Sequence, residues 1–327
     1  MRKIFLLLGL AWISLPALVL AHTRWFAETD LAPYVTDEST GLYIAVWSAI
    51  TLLVVLVAVF LQRYPALELS ILKPSKPHSF ARAASTFTMV AGAYFVIAGS
   101  HEYFLTPNLT LEFGIPFWII IVQILIGLAM LIGVFARAAA LALAVLWLLA
   151  FQYTGWVQGL ENIWVLSTAA FIAVMGNDYF SIYSISALRR WLSPYKDYSL
   201  SFLRVGTGAT LMILGLSEKI TAPEFGINFL QQHDWNFMAM LGFNYSDYLF
   251  TISAGSVELI FGLIFVLGLL TRLNALIVAL VFTIPLFILG PIELTGHLPH
   301  FAAIVLLLLY GNGGRLLPFR SVCSPKR

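Results

Sequence analysis

Residues 254–274 read AGSVELIFGLIFVLGLLTRLN, and they set the terms for the rest of the chain. One carboxylate, Glu258, stands in an apolar run long enough to cross a bilayer, which takes about 20 residues of helix. Gly255, Glu258 and Gly262 fall at i, i+3 and i+7 and so share one helical face, where small residues admit a neighbouring helix. An acid turned toward lipid is costly, so Glu258 is expected to face protein. Thr271-Arg272 closes the run.

An earlier stretch matches it. A step of 135 residues that pairs Gln123 with Glu258 also pairs Gly127 with Gly262, Gly133 with Gly268, Arg137 with Arg272, and Gly176-Asn177 with Gly311-Asn312. This reads as a duplication, and in transporters ligand sites often gather where two repeats meet. The expected fold is all-α and integral to the membrane, with two tandem four-helix transmembrane bundles and one extra N-terminal span.

Composition agrees. With 60% hydrophobic and 10% charged residues, divided among several apolar runs, the chain falls in the multi-span class. The net charge of +2 is small and its basic residues collect in alternate loops, which is a topology signal and excludes nucleic acid as a partner. The single cysteine, Cys323, gives no intramolecular disulfide or paired-thiol chemistry.

In chain order, residues 1–21 have a basic start, an apolar middle and the ending Val19-Leu20-Ala21, the pattern of a signal peptide cleaved to leave His22 first. Residues 22–79 hold an outer polar segment, a span at 42–61 and a basic, proline-bearing loop. A first module is expected at 80–181, with spans near 83–104, 116–135, 138–153 and 163–180. A second follows at 200–315, with spans near 202–220, 248–270, 275–289 and 298–311, and residues 316–327 form a basic tail. Arg63, Lys73, Lys76, Arg82, Arg137, Arg189, Arg190 and Arg272 then lie on one side and only Arg24 and Lys219 on the other. The positive-inside rule thus puts the mature N-terminus outside and the C-terminus in the cytoplasm of a bacterial-type inner membrane. Modules with an even number of spans are parallel repeats.

Arg204 and Gly206 opening a span, Glu218-Lys219 at its outer end, and Ala254-Gly255, Glu258-Leu259, Gly262, Gly268 and Thr271-Arg272 together resemble the DoxX-like family of four-helix membrane proteins. The resemblance covers about residues 202–314, and residues 82–176 look like a diverged copy carrying Gln123 in place of the acid. It implies a link to membrane redox systems, including a thiosulfate:quinone oxidoreductase whose membrane subunit looks similar. Leu216-Ser217 stands where such proteins commonly carry a His-Gly pair.

For Glu258, one reading is a buried acid that carries a proton or binds a quinone-like head group, and the other is a structural acid with a polar partner. Burial raises the pKa of such an acid and a nearby cation lowers it, so the partner decides its charge. Arg272 is 14 residues away, about 21 Å along a helix, which leaves Lys219 or an outer histidine as the candidate partner. The expected ligand-binding set is Glu218, Lys219, His297, His300 and Arg272 around Glu258. Arg137, Arg204 and Arg272 otherwise read as anchors reaching the membrane interface. His297 and His300, at i and i+3, can present two imidazoles to one metal, and a freed His22 would add nitrogen ligands suited to copper(II). Trp25, Trp118, Trp156, Trp164 and Trp235 read as an interfacial belt, and the loop 221–247 as a lid or docking surface.

Three functions stay open. They are a membrane redox component binding a quinone-like or other small ligand, a transporter or metal-handling protein using the outer histidines, and a non-catalytic anchor for a partner enzyme. No haem, flavin or iron-sulfur motif is present, so electron transfer would need a bound quinone or a soluble or membrane redox partner.

Overall fold

The computed structural model describes residues 33–34, 40–76 and 78–317, apart from the side chains of 40, 285, 288, 289 and 291–295. The expected signal peptide, His22, Trp25 and Cys323 lie outside the described residues. Helix α1, Thr40–Leu61, is followed by α2, Ser79–Ser100; α3, Phe117–Ile132; α4, Ala136–Glu161; and α5, Ile163–Met175. A short α6, Ser186–Leu192, leads to α7, Ser199–Leu214, which continues as a π-helical turn over Gly215–Ile220. Then come α8, Pro223–His233; α9, Phe237–Met240; α10, Asp247–Leu267; α11, Thr271–Leu289; and α12, Pro291–Tyr310. No strand forms among the described residues.

Five helical segments, Gly41–Leu61, Ser79–Ser100, Ala136–Glu161, Ser186–Ile220 and Asp247–Leu267, are long and apolar enough to cross a membrane, and four shorter apolar helices lie among them. The chain is therefore an all-α, multi-pass membrane protein. Helix α1 is mostly exposed on the outside of the bundle and touches the rest through Val54, Ala58 and Leu61, which meet Ile260, Ile264, Leu270 and Leu273.

Two helix crossings organise the interior, and both depend on missing side chains. At the first, a Cβ on Gly92 of α2 would lie 2.6 Å from the Gly127 carbonyl of α3 and 2.6 Å from Leu131 N. At the second, a Cβ on Gly208 of α7 would lie 2.5 Å from the Gly262 carbonyl of α10 and 2.9 Å from Val266 N. Backbones can approach this closely only where both residues are small, and in lipid such packing takes the place of the hydrophobic drive.

The same correspondence continues along the chain. Gly133 and Gly268 end α3 and α10 at φ 72° and 71°, and Phe135 and Leu270 follow, also in the left-handed region. Gly155 breaks α4 at φ 78° just as Gly290 separates α11 from α12 at φ 72°. Gly176 and Gly311 end α5 and α12 over the guanidinium groups of Arg137 and Arg272. The span expected to end near residue 153 reaches its break at Gly155, and a second helical stretch continues from there to Glu161.

The two halves of the chain also interlock. Helix α5 lies along α7 and α12 lies along α2, so each first helix is covered by the fourth helix of the other half. Ser217 at the end of α7 reaches Glu161 before α5, and Phe80 of α2 stacks edge-on against Tyr310 of α12 at 4.9 Å.

Candidate functional site

The π-helical turn at Gly215–Ile220 widens the end of α7 and turns two consecutive ionisable residues, Glu218 and Lys219, into the protein, where both are buried. Single π-turns often mark functional positions in helices. Two glycines bring α10 against this turn. A Cβ on Gly215 would meet the Gly255 carbonyl at 2.5 Å, and one on Gly255 would meet Lys219 Cβ at 2.7 Å.

That approach lets Lys219 Nζ donate to Glu258 Oε2 at 2.8 Å, with the Lys219 side chain fully buried and Glu258 only 7% exposed. Glu218 is near enough to Glu258 for their charges to interact. Paired charges in a low-dielectric interior are held by their mutual attraction against a large desolvation cost, and removing one partner leaves the other charge stranded. The arrangement can hold a proton on either side of the pair, or release one donor or acceptor to a ligand that enters between them.

Ser217 Oγ donates to Glu161 Oε1 at 2.7 Å and ties the turn to the start of α5. Glu161 and Asn162 are both buried there. His297 and His300, also buried, pack against aromatic rings: His297 lies 5.4 Å from Phe282 and His300 lies 4.9 Å from Trp164, with 5.8 Å between the two imidazoles. Above, α8 lays Phe229 and Leu230 on Phe250 and Ala254 of α10, and Gly226 permits contact with Thr251. Asn236 fixes the following turn by donating to Tyr245 O and Asp247 Oδ1, each at 2.8 Å, and the Tyr245 hydroxyl bonds with Ser253 Oγ. The loop 221–247 is thus a docked, helical cover on α10.

The residue 135 positions before Glu258 is buried without charge. Gln123, fully buried, accepts from Leu105 N at 2.7 Å and donates to Tyr103 O at 3.0 Å and Phe95 O at 3.3 Å. Counting along α2 and α7 from Gly92 and Gly208, Tyr103 occupies the place of Lys219.

Of the expected ligand set, the structure joins Lys219 to Glu258, with Glu218 beside them, and places His297 and His300 among aromatic rings of α5 and α11. Arg272 is not brought to this cluster. It sits at the far end of α10, where it donates to Glu68 O at 3.3 Å and Leu309 O at 3.5 Å. Among the described residues no three His, Cys, Asp or Glu side chains gather as metal ligands, and His22 falls outside them.

Arg204 and Arg137, expected to reach outward, are instead buried and held by protein groups. Arg204 is completely buried and donates to the carbonyls of Phe265, Val266, Asn312, Arg315 and Leu316, so it caps the end of α10 and holds the turn after α12. Arg137 forks onto Asp178 at 2.7 and 2.9 Å and also donates to Met175 O at 2.9 Å. Partial burial pushes the Asp178 carboxyl up, and the Arg137 fork with the charges of Arg189 and Lys196 outweighs this, leaving it below the ordinary carboxylate range. A guanidinium fork can satisfy several fixed acceptors at once, and this makes it worth burying. Trp118 and Trp156 are exposed as a belt requires, but Trp164 is interior and stacks on Phe95 at 5.9 Å. Glu161 and Asp178 were missed in the sequence. The only signal for Glu161 was an acid embedded between two apolar stretches.

This is the buried polar centre of an all-α, multi-pass membrane protein, placed where the first and second helices of its second half cross. The DoxX family model matches residues 199–291, the segment that holds α7, the π-turn, α8, α10 and α11, so this part of the chain is DoxX-like. No curated protein and no solved structure matches the chain.

Proposed function

We infer that the protein is the membrane component of a redox system and that the Lys219–Glu258 pair handles the proton of a quinone-like small ligand in the second module. One observation carries the reading: the ion pair stands where the first module packs equally well around neutral Gln123. Helix packing at this crossing therefore does not call for charge, and a buried pair is retained at a desolvation cost that a structural role leaves unexplained. The DoxX-like match supports the quinone class by analogy of fold. On this reading the chain is two tandem copies, at 80–181 and 200–315. A cleaved signal peptide precedes them, the mature N-terminus lies outside the inner membrane, and the pair lies on the outer side.

The test is the quinone content of gently purified full-length protein. Wild type is expected to retain quinone and Glu258→Gln to lose it while remaining folded. Equal quinone in both would remove Glu258 from the site.

A second reading, docking of a soluble redox enzyme, is favoured by Met240, Leu241 and Phe243, which are 75%, 70% and 52% exposed at the tip of the cover. Replacing all three by Ser is expected to abolish co-purification of such an enzyme and to leave quinone content intact.

A further inference from the structure

Between α2 and α12 lies an apolar groove of about 730 Å³, with Phe87, Val90, Ala302 and Leu306 on its walls and Lys76, His78 and Arg82 at one end. Its counterpart between α7 and α5 is shut. There Gly206 approaches Ser167 so closely that an added Cβ would lie 2.0 Å from the Ser167 Cβ. Counting from Gly92 and Gly208 along the first helices, and from Gly127 and Gly262 along the others, the corresponding residues are Val90 and Ala302, and both line the groove. A branched valine holds these helices apart where glycine lets the other pair touch.

The groove runs along α2 from Ser79 to Val90 and along α12 from Leu298 to Leu309. At the helical rise this is ~16 Å, close to one leaflet of a ~30 Å hydrocarbon core. Lys76, His78 and Arg82 are exposed at its mouth, and Arg82 is steadied by Tyr179, whose hydroxyl accepts at 2.6 Å. Tyr179 follows the end of α5 and Glu161 precedes its start, so the mouth lies at the opposite end of the bundle from the Lys219–Glu258 pair.

We propose that this groove is the site of one phospholipid with an anionic phosphodiester headgroup. Its phosphate sits between Lys76 and Arg82, and one acyl chain runs along Phe87, Val90 and Leu306. The charge arrangement selects the anionic headgroup, since basic side chains at the membrane surface attract anionic lipid more than a zwitterion. The length and apolar lining select the chain. Neither depends on what binds at Glu258.

The experiment is native mass spectrometry of the full chain, purified, stripped of lipid and offered phosphatidylglycerol and phosphatidylcholine in equal amounts. Wild type is expected to keep one phosphatidylglycerol in clear preference. Lys76→Gln with Arg82→Gln is expected to weaken that retention by roughly thirtyfold, the factor two headgroup-facing cations supply. Thr86→Trp, at an exposed position lining the groove, fills it without touching the charges and is expected to remove the bound lipid as well. Equal retention of the two lipids, or phosphatidylglycerol retention unmoved by the charge and filling variants, would overturn the proposal.

Discussion

Glu258→Gln tests the ion pair most directly, because it keeps the shape of the side chain and removes its charge. Lys219 Nζ is 2.8 Å from Glu258 Oε2 and its side chain is entirely buried, so the substitution leaves an ammonium deep in protein with no bonded counter-charge. Breaking a buried pair from one side costs about 3–5 kcal/mol, and since the amide oxygen still accepts from Lys219, the low end, about 3 kcal/mol, is expected. Lys219→Met should cost a similar amount by stranding the carboxylate. Replacing both together should recover all but about 1 kcal/mol, because two neutral groups strand nothing. Unfolding of the four proteins in one detergent, followed by tryptophan fluorescence, gives the cycle. A double variant whose loss equals the sum of the single losses to within about 0.5 kcal/mol would show that the two side chains are energetically independent, and the site would lose its centre.

Gln123→Ala removes three buried hydrogen bonds and opens a small cavity, so it should cost about 2–4 kcal/mol in the same assay while leaving quinone content unchanged. Arg204→Lys should fail to rescue Arg204→Met, since a single ammonium cannot reach five carbonyls divided between the end of α10 and the turn after α12; both should lose at least about 3 kcal/mol, with proteolysis at the turn after α12 as the readout. The depressed Asp178 contributes stability that is full above its unfolded pKa of about 3.9 and is lost as pH falls through its lower folded value. Acid titration of unfolding should therefore show a loss below about pH 4 that is smaller in Asp178→Asn.

The fold was largely legible because its organising contacts are glycine crossings, and glycine spacing is visible in a sequence. Gly127 and Gly262 could be paired by position alone, and the structure puts both in helix crossings of one kind. Lys219 could be named as a partner for Glu258 because membrane burial leaves few cations available. Arg204 could not be read correctly. Its acceptors are backbone carbonyls of residues 265, 266, 312, 315 and 316, and a carbonyl carries no side-chain signature. The π-turn was equally hidden, since the pattern of residues 215–220 is compatible with an ordinary helix end. Trp164 was misassigned because an indole near a span end looks the same in sequence whether it faces lipid or His300.

The interlocked halves also impose an order of assembly. Helix α2 enters the bilayer roughly 200 residues before α12, its long-range neighbour, has been synthesised, whereas α7 follows α5 almost at once. The α5–α7 seam can therefore close early and tightly, glycine against serine. The α2 face must wait in lipid, and when the last helix arrives Val90 prevents the seam from sealing. If the groove holds lipid as proposed, the last seam to form is the one that closes only part way.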